Sequence, residues 1–194
     1  MSGRPLLISC GILNKEVEFL MAARGWDWEV LFLKSSLHFD FEELEQGLNR
    51  ALSSRGGERA VVLYGVCHPL IDRIVAGHRA VRVPCQNCVE LLLGTERFTA
   101  DLAQGAYFLL EEWARDWDAI MERTFGSLAM AREIFRSDRR LLVAVRTPCS
   151  GDFSAVAENI ALSLGVPLKW VDADLGPLEA GIRAAMGAVQ GGSP

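Results

Sequence analysis

Several features that would indicate a function directly are missing from this 194-residue chain. It has no apolar run close to the roughly 20 residues that cross a bilayer, so the sequence predicts no membrane-spanning segment. Its first apolar run, at 5–9, is too short for the hydrophobic part of a secretory signal. We therefore expect a cytoplasmic protein.

Phosphate-binding motifs and basic clusters are also absent. The sequence contains neither a G-x-x-x-x-G-K-[S/T] loop nor a strand-linked G-x-G-x-x-G, so ATP or dinucleotide binding through those loops is unsupported. The net charge is −5, whereas binding to a phosphate backbone needs a basic face. The sequence therefore predicts no nucleic-acid partner.

Short β-forming runs alternate with helical patterns along the chain, and half of the residues are hydrophobic. This alternation is typical of an α/β fold. We predict a doubly wound, mostly parallel sheet with helices on both faces. The fold would form a single domain over 1–190 with a flexible tail at 191–194, and a two-lobed arrangement split near residue 105 is the alternative. The predicted strands cover 5–9, 28–33, 60–65, 80–83, 106–109, 141–146 and 168–171, and 110–136 is predicted as one long helix.

All five cysteines come directly after β-forming runs, where buried strands should end. They are Cys10, Cys67, Cys85, Cys88 and Cys149. In an open parallel sheet the carboxyl ends of the strands lie along one edge, and ligands bind at that edge. The sequence therefore predicts that the thiols converge on one site, with His38 and His68 following strands in the same way.

The spacing of Cys85 and Cys88 suggests a metal site, because a Cys-x-x-Cys turn can direct two thiolates at one ion. We predict a cytoplasmic metal-binding protein, with zinc preferred to an iron–sulfur cluster, although thiolates suit both. A thiol–disulfide oxidoreductase using Cys85 and Cys88 is an alternative, and so are purely structural thiols. The predicted ligands are Cys10, His38, Cys67, Cys85 and Cys88.

Four stretches of the chain resemble a family of bacterial and archaeal domains of unknown function, often encoded beside corrinoid-dependent methyltransferases. The matching stretches are ISCGIL at 8–13, LH at 37–38, LYGVC at 63–67 and VPCQNCVELLLG at 83–94. The resemblance supplies no settled activity. It implies a corrinoid protein or a methyltransferase as partner, with either zinc-assisted methyl transfer or an accessory role without catalysis.

Overall fold

The computed structural model describes residues 4–54 and 60–191. The strands in this part of the chain lie within two residues of the predicted positions. They are β1 (Leu6–Cys10), β2 (Glu29–Leu33), β3 (Ala60–Leu63), β4 (Val81–Arg82), β5 (Ala106–Leu109), β6 (Leu141–Arg146) and β7 (Leu168–Asp172). Every pair of neighbouring strands is parallel, which confirms a mostly parallel α/β fold.

Helices separate most of the strands. They are α1 (Asn14–Arg24), α2 (Phe41–Ser53), α3 (Ile71–Gly77), α4 (Cys88–Leu93), α5 (Thr95–Ala103), α6 (Glu111–Arg115), α7 (Trp117–Phe125), α8 (Leu128–Asp138), α9 (Ser154–Leu164) and α10 (Gly176–Gly191). Short 3-10 turns follow β1 and β2, at Gly11–Leu13 and Ser35–Phe39. Within the described ranges, no helix has the length and apolarity needed to cross a membrane.

The strands form two sheets, in two compact units. The first unit comprises Met1–Leu92 with Leu175–Pro194, and the second comprises Leu93–Asp174. Assignment of both units to a single domain stays a prediction. Residues 192–194 of the predicted tail lie outside the described residues, whereas Gly191 ends α10.

The sheet of the first unit has the order β2-β1-β3-β4. Every residue of β1 and of β3 is buried, as expected for apolar strands covered on both faces. The chain leaves β1 towards β2 on one side and then crosses back to β3 on the other side. The carboxyl ends of β1 and β3 therefore flank the point at which the winding direction reverses.

The second unit contains the sheet β5-β6-β7 and the segment predicted as one long helix. That prediction was wrong, because 110–136 divides among α6, α7 and α8. Gly126 ends α7 in a left-handed conformation with φ of 78°, and Ser127 caps α8 by accepting a hydrogen bond from the Met130 amide. Trp117 and Met121 nevertheless lie in the core of this unit, as their helical spacing indicates.

Asp101 is an unusual member of the second unit, because its carboxylate is buried on α5 and only 2% of the residue is exposed. The Lys169 ammonium donates to it at 2.7 Å and the Arg97 guanidinium at 2.9 Å. Burial alone would raise the pKa of Asp101, but these two cationic donors outweigh it and lower the pKa below its ordinary value. The charged carboxylate therefore ties α5 to β7.

Replacing Asp101 with Asn should lower the free energy of unfolding by about 1–3 kcal/mol at pH 7, because the ionic hydrogen bonds are lost. Since the folded-state pKa is lowered, this stabilisation is complete above the unfolded pKa of about 3.9 and disappears as the pH falls through the folded value. Denaturant unfolding of both proteins should show a constant difference from pH 7 to 5 that shrinks below about pH 4. A difference that grows on acidification would contradict the ion-pair account.

Candidate functional site

Four of the five cysteines belong to the carboxyl edge of the first sheet. Cys10 ends β1, Cys67 follows β3, and Cys85 and Cys88 follow β4. Cys10 is buried and the other three are half-buried. The strand order therefore places these four cysteines at the same edge of one sheet. Cys149 follows β6 in the sheet of the second unit, so its inclusion at the same edge was wrong.

The loops after β3 and β4 are held against each other through Gly65. A Cβ atom added to Gly65 would overlap the main-chain oxygen of Gln86 and the Cα atom of Asn87. The amide of the next residue, Val66, donates to the same Gln86 oxygen at 2.8 Å. Only glycine permits this approach, which fixes the Cys67 loop against the Cys-x-x-Cys turn.

The Arg82 guanidinium holds the same loops together through hydrogen bonds. Its Nη1 atom donates to the carbonyl oxygens of Tyr64 and Val83, each at 3.1 Å, and to that of Cys85 at 3.3 Å. Its Nε atom donates to Asp72 at 2.6 Å. The guanidinium is thus occupied by main-chain carbonyls and one carboxylate, which positions the loops.

The Cys-x-x-Cys turn also forms the cap of α4. Asn87 Oδ1 accepts from the amides of Val89 and Glu90, both at 3.0 Å, and the Glu90 carboxylate accepts from the amide of Gln86. This arrangement resembles a capping box, except that Glu90 accepts from the residue before the cap. The Cys85 thiol in turn donates to the carbonyl oxygen of Tyr64 at 3.7 Å. The turn is therefore fixed by hydrogen bonds within the protein.

Burial decides the protonation of the thiols. It raises the pKa of Cys67, raises that of Cys85 to about 12, and raises that of Cys88 well above its usual range. The positive charge of Arg82 lowers the pKa values of Cys67 and Cys85, but by less than burial raises them. At neutral pH these groups are uncharged thiols and not thiolate nucleophiles.

Tyr64 lies among these thiols, and only 2% of it is exposed. Burial raises the pKa of its hydroxyl, and the neighbouring thiols of Cys10, Cys67 and Cys88 raise it further. Within the described residues the hydroxyl oxygen has no hydrogen bond of good geometry, although it interacts with the Cys10 sulfur, a weak partner. The edge therefore combines neutral thiols with an incompletely satisfied hydroxyl.

His68 has a structural role next to this edge. It is 5% exposed, its Nδ1 atom accepts from the Leu70 amide at 3.0 Å, and its Nε2 atom lies 3.7 Å from a carboxylate oxygen of Glu45. Its ring also packs edge-on against Phe41. Both ring nitrogens are engaged by groups other than Cys67, which argues against His68 as a base for that thiol.

The predicted metal-binding function is wrong on this geometry. Among residues 4–54 and 60–191, no group of three or more His, Cys, Asp or Glu side chains could hold a metal ion. The physical reason lies in the Cys-x-x-Cys turn, which caps a helix and uses the Cys85 thiol in a hydrogen bond. His38 lies in the 3-10 turn Ser35–Phe39, and its side chain is outside the described residues. Zinc and an iron–sulfur cluster therefore have no fitting ligand set here, and the methyl transfer that depended on a metal loses its basis.

The dithiol alternative is not supported either. Cys85 and Cys88 are free thiols, as they would be in the reduced form of such an enzyme, so their pKa values are what bears on this alternative. The pKa values of both are raised, whereas a redox-active Cys-x-x-Cys needs a lowered pKa.

Sequence reasoning missed two residues that shape this site, Tyr64 and Arg82. Tyr64 ends the apolar run AVVLY at 60–64, and Arg82 interrupts the run AVRV at 80–83. A polar residue inside a buried run usually has a specific hydrogen-bonding role, and that signal could have identified both.

Comparison with known protein families identifies the family of this chain. Residues 32–182 match the family described as "Protein of unknown function (DUF1638)". The comparisons with curated proteins and with solved structures gave no significant match. Because the family match covers more than half of its residues, the chain belongs to the DUF1638 family. The association with corrinoid methyltransferases rests on the resemblance alone.

Replacing Gly65 with Ala should lower the free energy of unfolding by about 3 kcal/mol, the upper end for overpacking, because the added Cβ meets main-chain atoms. Gly77→Ala is the matched control, since a Cβ at the end of α3 meets nothing within 4 Å. Urea unfolding of both variants tests this. Equal midpoints for the two would contradict the loop contact.

Alkylation kinetics test the protonation of Cys85. With a pKa of about 12, its reaction with iodoacetamide should accelerate tenfold per pH unit from pH 7 to 10, because the reactive thiolate stays a minor species. Peptide-resolved mass spectrometry gives this rate, with a cysteine-containing peptide as the reference that levels off near its ordinary pKa of about 8.5. A plateau for Cys85 below pH 9 would show that burial does not control its charge.

Proposed function

We propose that this DUF1638 protein binds a small, uncharged organic molecule at the carboxyl edge of its first sheet. The proposal rests on the reversal of winding between β1 and β3, with Cys10 at the end of β1 and Cys67 in the loop after β3. In open α/β sheets, ligands bind in the crevice outside the strand ends where the winding reverses.

The loops on either side of this point bring main-chain segments into close contact. After β1, a Cβ on Gly11 would lie 2.9 Å from the Leu33 carbonyl oxygen, so the chain passes tightly over β2. After β3, Gly65 holds the Cys67 loop against the turn after β4. Rigid loops on a buried sheet are the support that a small-molecule site needs.

The chemistry of the edge favours an uncharged ligand. The thiols of Cys67, Cys85 and Cys88 are neutral at pH 7, and Arg82 is occupied by three carbonyls and Asp72. The ion pair with Asp72 offsets the charge of Arg82, so this charge gives an anion little advantage. Polarisable sulfur packs well against aromatic rings and thioethers, so we favour a ligand with such a group.

The location and the partner that we propose are those expected from the sequence. We propose the cytoplasm as the location, and a corrinoid protein or a methyltransferase as the first partner to test. The partner rests on the family resemblance, and an accessory role without catalysis is compatible with neutral thiols.

Protein-observed NMR with a library of uncharged fragments tests the ligand site. We expect the strongest amide shifts at Gly11 and Cys67 and in the turn at 85–88. Cys67→Trp should abolish them by filling the space beside the loop, while Cys149→Ala in the second unit should leave them unchanged. Shifts concentrated elsewhere, or no fragment that shifts these amides, would overturn the proposal.

A further inference from the structure

A cavity of about 660 Å³ lies in the first unit between β2 and α2. On the helix its lining residues recur three or four positions apart, which defines one helix face. On β2 it touches the consecutive residues 31–33, and beyond the strand it touches Lys34, Ser36 and Leu37. Since successive side chains of a strand point to opposite faces, a cavity that touches three consecutive strand residues is not confined to one face of the sheet and reaches the margin of β2. We call this cavity the β2–α2 groove.

Within residues 4–54 and 60–191, no strand pairs with the outer edge of β2, so its outward main-chain groups take no part in the sheet. The Glu29 amide donates to the Pro5 carbonyl at 2.9 Å, so Glu29 and Leu31 direct their main-chain groups towards β1. In parallel pairing the alternate residues, Val30 and Phe32, then direct their N–H and C=O groups outward. No residue of β2 is buried, and Leu31 is 38% exposed.

This edge lacks the features that usually prevent strand pairing. The run EVLFL contains no proline, and its central three residues are apolar and uncharged. By contrast β4, at the other edge of the sheet, is only two residues long. Short edge strands, charges and prolines are the common protections against an added strand.

We propose that the β2–α2 groove binds an extended, acidic peptide segment of a partner protein by strand addition. The segment would pair its main chain with Val30 and Phe32, place an apolar side chain in the groove, and direct an acidic group towards Lys34 and Arg50. A sheet edge beside a helix is a recurring form of peptide recognition, in which main-chain pairing supplies affinity and alternate side chains supply specificity.

Gly47 keeps the groove open on the helix side. A Cβ atom at this position would lie 3.4 Å from a methyl carbon of Leu37 and 3.7 Å from one of Leu33. These are ordinary contacts, so the backbone tolerates a side chain here. A larger side chain would occupy the space that we assign to the peptide.

The charge of the groove lining favours an acidic partner segment. Lys34 and Arg50 both line the groove, and neither side chain forms an ion pair with any residue in the described ranges. Glu43 is the acidic residue of the lining, so the balance is positive in a protein whose net charge is −5. A carboxylate on the peptide would complement this local excess.

A second copy of this chain fits less well. In an antiparallel pair of two β2 strands, the outward-directed residues of one copy must face those of the other. One register places Phe32 opposite Phe32 of the second copy and Lys34 opposite Val30. The other register places Lys34 opposite Trp28. Neither arrangement gives Lys34 an acidic neighbour, because Glu29 lies on the other face of the strand. An acidic segment of another protein would supply the carboxylate that a second copy cannot place beside Lys34.

Selection from a phage-displayed library of random decapeptides, with the full chain as bait, tests the proposal. We expect the enriched peptides to alternate apolar residues and to carry an acidic group. In fluorescence polarisation with the synthetic peptides, Gly47→Leu and Arg50→Glu should each raise Kd at least tenfold. Gly77→Leu and Arg73→Glu, changes of the same kind on α3 away from the groove, should leave Kd within twofold. Peptides N-methylated at alternate residues should lose binding.

Three results would overturn the proposal. The first is that no peptide is enriched over a Gly47→Leu bait, and the second is that the Kd values of Gly47→Leu and Arg50→Glu match that of the parent chain. The third is a dimer by light scattering in which the Val30 and Phe32 amides are already protected from hydrogen exchange, since a second copy would then occupy the edge. The fragment experiment at the thiol edge is independent of all three.

Discussion

The contact between Gly65 and the Gln86–Asn87 main chain is the constraint on which the thiol edge depends. It brings the loops after β3 and β4 to a distance that no side chain permits, and the Val66 amide fixes them with a hydrogen bond. Arg82 then satisfies three carbonyls that this approach draws together. The position of Cys67 relative to Cys85 and Cys88 follows from this arrangement.

The same packing determines what the thiols can do. Close approach of the loops removes water from the sulfurs, and loss of water disfavours the thiolate. Arg82 is the nearby positive charge, but its donors are directed at carbonyl oxygens and Asp72. Burial therefore outweighs it, and the edge becomes an uncharged, polarisable surface. A cysteine-rich sequence pattern is compatible with metal ligation, redox chemistry or neutral packing. Here the described residues offer no group of three or more metal ligands, and burial favours neutral thiols.

Sequence patterns predicted the parallel α/β class and the strands because buried strands appear as short apolar runs with clear ends. They could not show that the strands separate into two sheets, so Cys149 was grouped with thiols of another unit. The long-helix prediction failed because periodicity continues through Gly126, although the backbone turns there. The ligand set failed for a related reason, since sequence position gives the end of a strand but not the hydrogen bonds of Asn87 and Cys85.

A zinc titration of protein labelled at cysteine Cβ would reveal the charge state of the thiol edge. NMR shifts of Cβ distinguish a thiol from a thiolate for each cysteine. We expect thiol shifts for Cys67, Cys85 and Cys88 at pH 7 that do not change with added zinc, because these groups are protonated and form no ligand set. Movement of three or more cysteines to thiolate shifts at one equivalent of zinc would contradict this expectation.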